Sequence, residues 1–312
     1  MDILVTGIYV LVFPGFISIL ILGLISSWIE RKVTARVQYR KGPPLLQPFY
    51  DVVKLLGKET ILPAQGSRFV FIVAPLLGFI SVSLVGVILM LQPLLTVSFV
   101  GDLIVVVYLL TLPSLALIMG GAASGNPLAS QGASREMKLI LAYELPFLIS
   151  VALVVYKAGF KIDLQSLPAG GNMASISGIL TFIVVLLCVQ AKLGFTPFDI
   201  AEAETEIMSG PYIEYSGPLL SVFKLTQSLM LFTLPVFIIT VFWGGISFSG
   251  WNILWFALKY ILILVLIIVI KNTNPRIRVD QALKFFWGFC SILAVIAFVL
   301  AVIGRWYGIA WL

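Results

Sequence analysis

Five carboxylates crowd one stretch of this sequence: Asp199, Glu202, Glu204, Glu206 and Glu214 fall within sixteen residues, with no basic residue between them. Grouped carboxylates raise one another's pKa, so such a set can hold or relay protons near neutral pH. On a helix Asp199, Glu202 and Glu206 would share one face, with Glu204 turned away. A solvated acidic loop, or a docking surface for a basic partner, accounts for the same residues equally well. Glu144, in Leu141-Ala142-Tyr143-Glu144-Leu145-Pro146, reads as the lone acid inside an apolar run. An ionisable group at that depth is costly and normally faces a partner or a water-filled path, which favours a functional role. Lys224 and Gln227, like Gln190 and Lys192, sit near the ends of their apolar runs. Either lysine can snorkel to the interface as readily as act.

Other chemistry is excluded by count. There is no histidine, so there is no imidazole base, no His-ligated haem or zinc and no Ser-His-Asp triad. Cys188 and Cys290, the only cysteines, lie far apart inside apolar runs. They form neither an iron–sulfur ligand set nor a CxxC redox pair. The chain has no evident means of carrying electrons itself.

The elements that position these residues follow from composition. Of 312 residues, 60% are hydrophobic and 11% charged, against about 25% charged in soluble domains. With a mean hydropathy of +1.10, the chain reads as an all-α integral membrane protein. A span needs about 20 mostly apolar residues. About eight segments qualify: Ile3–Ile29, Phe69–Leu95, Leu103–Met119, Leu139–Val155, Ile176–Leu193, Leu219–Trp243, Ile253–Ile270 and Phe285–Ile303. The runs are too long and continuous for a β-barrel. No internal repeat or soluble domain interrupts them, so residues 1–312 read as one polytopic domain. The apolar start lacks a basic leader and a cleavage site and reads as a retained first span.

Long polar loops are expected near residues 30–68, 120–138, 194–217 and 271–284. The first carries Glu30, Arg31, Lys32, Arg36, Arg40, Lys41, Lys54 and Lys58, and the second Arg135 and Lys138. The last adds Lys271, Arg276, Arg278 and Lys284, whereas the opposite side holds Lys157, Lys161 and Arg305. The positive-inside rule then puts the long loops in the cytoplasm and both termini outside. The net charge of +6 is thus mostly a topology signal, with no nucleic acid implied. Within the first loop, Phe49–Glu59 has the pattern of a short amphipathic helix on the membrane surface.

At this point the residues resemble a family. Glu30-Arg31-Lys32, Gln38, Gly42-Pro43, Leu46-Gln47-Pro48, Ala123-Ser124-Gly125, Gly132, Arg135 and Tyr143-Glu144 occur in order. They are followed by Pro197-Phe198-Asp199 with Glu202, Glu204, Glu206, Gly210 and Glu214-Tyr215-Ser216-Gly217. The pattern is similar to the eight-helix membrane subunit of respiratory complex I (NADH dehydrogenase subunit 1) and its relatives in membrane-bound hydrogenases. Gly42-Pro43-Pro44 passes almost directly into Leu46-Gln47-Pro48, and Lys224, Thr226 and Gln227 stand where quinone-type chains tend to have an acid. Both departures look like the archaeal energy-converting hydrogenase or sulfane sulfur reductase branch.

The resemblance implies a membrane-anchor and coupling subunit in a prokaryotic plasma membrane, not itself catalytic. Its implied partners are a large [NiFe]-hydrogenase-like subunit, an iron–sulfur subunit, and antiporter-like and small membrane subunits. Those partners would carry the [NiFe]-type or related centre and the clusters, with no metal or cofactor bound by this chain. Asp199, Glu202, Glu204, Glu206 and Glu214 would sense the redox event, and Glu144, with Tyr143 and Lys224, would pass the charge change inward to proton or sodium movement. Glu30, Arg31, Lys32, Arg36, Arg40 and Arg135 would dock the redox arm or pair with those acids. The alternatives are the quinone-site subunit of a quinone-reducing complex I, a free-standing cation/proton transporter, and a purely structural anchor.

Overall fold

Hydrocarbon offers no hydrogen-bond partners to backbone groups, so a chain this apolar satisfies them within helices. The computed structural model describes residues 9–64, 66–94, 101–167, 173–309 and 311, and its regular elements are all helical. They are α1 (Phe16–Val37), α2 (Gln47–Leu56), α3 (Arg68–Leu91), α4 (Asp102–Leu109), α5 (Leu112–Ala123), α6 (Pro127–Lys157), α7 (Ile176–Lys192), α8 (Glu204–Ile207), α9 (Gly217–Phe242), α10 (Asn252–Thr273), α11 (Val279–Lys284) and α12 (Ser291–Tyr307). A π-helical turn, Phe285–Cys290, runs α11 into α12, and a 3-10 turn, Gly210–Tyr212, follows α8.

Seven stretches are long and apolar enough to cross a bilayer: Tyr9–Val37, Arg68–Leu91, Asp102–Ala123, Pro127–Lys157, Gly217–Phe242, Asn252–Thr273 and Val279–Tyr307. The remaining expected span, α7, has 17 residues. At about 1.5 Å per residue it measures roughly 25 Å, shorter than a hydrocarbon core of about 30 Å. The predicted first span begins, at Ile3, in residues outside those described.

One predicted loop is largely helix and another is helical over about half its length. The segment 120–138 holds the end of α5 and the first three turns of α6, separated by a short turn at 124–126. Asn126 caps α6 by accepting from the Leu128 amide at 2.9 Å, and Pro127 sits in the first turn, where its missing N–H costs nothing. Ala129, Gly132 and Ala133 are buried on this extension. Its charges and Ser130, Gln131 and Ser134 lower the local hydropathy without breaking the helix. Likewise Glu30, Arg31, Lys32 and Arg36 belong to the last turns of α1.

Helix α9 is the hub, with most of its length buried against its neighbours. Close approach comes from small residues. At Gly86 of α3 a methyl group would meet Ile19 of α1 at 2.9 Å and Thr233 of α9 at 3.4 Å. The amphipathic helix expected after α1 forms as α2. Asp51, Val52 and Leu55 turn toward the bundle, while Phe49, Tyr50, Val53 and Leu56 remain exposed.

Candidate functional site

The end of α1, α2, the start of α9, the end of α10 and the segment after α7 converge at one end of the bundle around a cavity of about 610 Å³. Its walls are strongly charged, and three ion pairs cross them. Arg31 of α1 donates to Asp51 of α2 at 2.6 Å, Lys271 of α10 to Glu30 of α1 at 2.8 Å, and Arg276 to Asp199 at 2.6 Å. Lys54, Lys58, Glu204 and Lys224 also line it. Burial pushes the Asp51 carboxyl up, but hydrogen bonds from Arg31 and Gln47 and the Arg31 charge outweigh it and hold the group below its usual range.

Behind this chamber lies a second cavity of about 40 Å³, lined among others by Ser114, Glu136, Lys192, Thr226 and Tyr212. That volume has room for about two or three water molecules. Asp199, Glu202 and Gln227 line both spaces and form the wall between them. Glu202 accepts from Gln227 Nε2 at 2.9 Å. Burial pushes its carboxyl up to about 7; Lys224 pulls against that shift and the Asp199 charge adds to it. Asp199 is also raised by burial, against the opposing hydrogen bond from Arg276, and its Oδ1 is buried without a protein partner. The small cavity has the room and the polar lining for a water that would satisfy such an atom.

Deeper still, Lys192 at the end of α7 donates to Glu144 of α6 at 2.8 Å. The lysine side chain is 1% exposed, and its ammonium lies 4.9 Å from the Tyr143 ring centre and 4.6 Å from that of Phe147. A charge unpaired at membrane depth costs about 3 kcal/mol on insertion scales, so partner and aromatic faces together hold this one. Lys192 therefore does not snorkel, and it supplies the partner that Glu144 requires.

The acidic segment owes its shape to turns. The expected single helical face for Asp199, Glu202 and Glu206 is not formed, because the chain is helical only over Glu204–Ile207. Met208 and Ser209 have positive φ. Gly210 (φ +51°) lies against Ala201, whose carbonyl oxygen would be 2.1 Å from an added methyl group. Asp199 and Glu202 consequently face the cavities. Glu206 turns outward to Arg135 at 2.6 Å, and that hydrogen bond and charge hold it below the usual carboxylate range. Glu214 accepts from Asn126 Nδ2 at 2.7 Å and ties the segment to the start of α6. Tyr215 stacks on Phe71 at 3.9 Å and donates to its carbonyl at 3.0 Å.

The structure thus gathers Asp199, Glu202, Glu204, Lys224, Glu30 and Arg31 around the chamber and places Tyr143 and Glu144 beneath it. Lys32, Arg36 and Arg40 line neither cavity. Sequence reasoning passed over Glu136, Asp51, Lys271 and Arg276 as site residues. For Glu136 a signal existed: it lies eight residues before Glu144 in a stretch free of helix breakers.

Fold and site together define a class: a multi-pass helical membrane subunit with a charged chamber at one end and a polar route leading from it into the bundle. The NADH dehydrogenase family profile matches residues 8–302, and the chain belongs to the NADH dehydrogenase subunit 1 family. The H subunit of the NADH-quinone oxidoreductase of Thermomicrobium roseum is 33% identical over 95% of this chain and 96% of its own. Its counterpart in Geobacillus kaustophilus is 32% identical over 89% and 88%. A chain in the solved structure of the membrane-bound sulfane sulfur reductase, an archaeal respiratory membrane complex, superposes with a TM-score of 0.83. It is 29% identical, with 92% of this chain and 96% of that one covered.

Proposed function

We propose that this chain is the membrane-anchor and coupling subunit of a complex I-like membrane-bound hydrogenase or sulfane sulfur reductase. The observation that carries the reading is the series of titratable groups. It runs from the charged chamber through Asp199 and Glu202, across the small cavity, to the buried Lys192–Glu144 pair. A redox event in a docked partner alters the field or protonation in the chamber. The change passes along groups whose ionisation states depend on one another, and proton or sodium movement follows elsewhere in the membrane arm.

The donor set of this chain, without histidine and with two separated cysteines, does not fit a [NiFe] centre or an iron–sulfur cluster. Those centres belong to the large and iron–sulfur subunits of the assembly, alongside antiporter-like and small membrane subunits. The plasma membrane of a prokaryote, with the chamber facing the cytoplasm, completes the reading. A quinone-site role has one observation in its favour, a chamber volume within the usual range of about 300–1,000 Å³ for small-molecule pockets. Its charged walls differ from the apolar lining such pockets usually have.

The test is purification of the native complex in gentle detergent through a tag on this chain, with metal analysis of what co-purifies. Nickel and iron with hydrogen evolution assign the hydrogenase type. Iron–sulfur subunits with polysulfide reduction assign the reductase type, and bound quinone with quinone reduction assigns the alternative. A chain that purifies alone overturns the coupling role.

A further inference from the structure

Glu136 is a buried carboxylate without a part in the series just described. It is 5% exposed and lines the 40 Å³ cavity together with Glu202, Asp199 and Lys192. Among the described residues no lysine or arginine lies within ion-pair distance of it. The hydroxyl of Ser114 is its polar neighbour on the same cavity. That same hydroxyl lies 3.3 Å from the Tyr143 hydroxyl. Seven residues return an α-helix to within about 20° of the same direction, so Glu136 and Tyr143 stand above one another on α6. The ring of Tyr143 in turn touches the ammonium paired with Glu144. Glu136 thus sits between the wall of the chamber and the deep ion pair.

Two carboxylates opening on a cavity with room for a few waters cannot both be ionised cheaply, whereas one proton shared through those waters leaves a single negative charge for the two. We propose that Glu136 and Glu202 hold one exchangeable proton between them, and that Glu136 is the station through which the chamber's protonation state reaches the Lys192–Glu144 pair. In the step, a proton leaves the Glu202 carboxyl for a cavity water and a proton from that water chain joins the Glu136 carboxylate. Glu202 is left ionised and the water unchanged. Glu202 is suited to exchange, since burial holds it at about 7. Negative charge removed from Glu136 then alters the field at Lys192, on the same cavity. The inference rests on the coupling role proposed above and adds a residue and a proton-holding site to it.

The experiment uses the intact complex in liposomes, comparing Glu136→Gln, Glu136→Met and Glu144→Gln with the natural chain. Redox turnover, ion uptake per turnover (a pH-sensitive dye, and sodium in parallel) and redox-induced infrared difference spectra are read together. In Glu136→Gln, ion uptake per turnover is expected to fall by about a hundredfold, the lower end of what one positioned proton-transfer group contributes. Turnover with the membrane uncoupled should persist, and a protonated-carboxyl band of the natural complex should vanish. Glu136→Met fills a similar volume without a polar group to bury, so it carries the same expectation where the glutamine variant fails to assemble. Full ion uptake in the Glu136 variants while Glu144→Gln is uncoupled overturns the role of Glu136 and leaves the coupling reading standing. Loss of uptake with the carboxyl band unchanged also overturns it. Full uptake in all three variants overturns the coupling reading itself.

Discussion

At the scale of single residues, the Lys192–Glu144 pair is asymmetric, with side-chain exposures of 1% and 19%. Removing one member of a buried pair strands the other, at a typical cost of about 3–5 kcal/mol. Glu144→Gln strands a sealed ammonium, whereas Lys192→Met strands a carboxylate with some access to its surroundings. Glu144→Gln is therefore expected to be the more destabilising by about 1–2 kcal/mol, and the double variant to recover part of the loss. Thermal unfolding of the purified chain in one detergent checks both statements. Glu202 makes a prediction of the opposite kind. Folded, it holds its proton up to about 7; unfolded, it releases it near 4.5. Unfolding between those values releases a proton, so its contribution is fully favourable below 4.5 and declines as pH rises to about 7. Glu202→Gln should flatten this slope, with a higher Tm than the natural chain above about pH 7 and little difference near pH 4.5.

Between elements, the decisive contacts are close approaches of backbone. At Gly132 of α6 a methyl group would meet Pro211 Cδ at 2.6 Å and the Ala201 carbonyl at 3.0 Å, so the helix sits directly on the segment that carries Glu202. Gly132→Ala is expected to cost about 1–3 kcal/mol through overpacking and to displace that segment. Gly288→Ala is the control, because nothing lies within 4 Å of the added carbon. A lower Tm together with reduced ion uptake in the first variant alone is the expected result. These contacts also explain where local sequence misleads at this scale. The start of α6 is helical although its composition is that of a loop, because Ala129, Gly132 and Ala133 bury a face that hydropathy averages away. The acids from Asp199 to Glu206 do not share a face, because turns run up to Ala203 and the helix begins only at Glu204, after which positive φ at Met208 and Ser209 turns the chain again.

For the whole molecule, the proposed orientation, with the chamber end inside the cell, rests on the distribution of lysine and arginine. Single cysteines introduced at Lys41 and Ser249, both exposed, test this in a chain whose own two cysteines are buried. In right-side-out membranes an impermeant maleimide should label the Ser249→Cys chain and spare Lys41→Cys, and inverted vesicles should reverse the result. Labelling of both from one side would contradict the assigned orientation. Helices α1 and α10 are buried only in part, so apolar side chains such as Ile17, Ile21, Leu258 and Leu262 face outward. In a bilayer that surface faces lipid or neighbouring membrane subunits.

Composition and order along the chain were enough to establish a helical membrane protein, the approximate positions of its long apolar helices, the helix α2 and the set of acids around Pro197-Phe198-Asp199. These are local properties: hydropathy and helical periodicity are set by neighbours in sequence. Which acid meets which base was decided only by packing. Lys192 finds Glu144 across 48 residues, and Lys271 finds Glu30 across 241. The small cavity exists because α6, α9 and the turned segment 194–212 close on it together. Whether a lysine snorkels or is sealed, and whether a carboxylate opens on solvent or on a few trapped waters, depends on helices distant in sequence. For Glu136, Lys192 and Glu202 that dependence is the physical basis of the site.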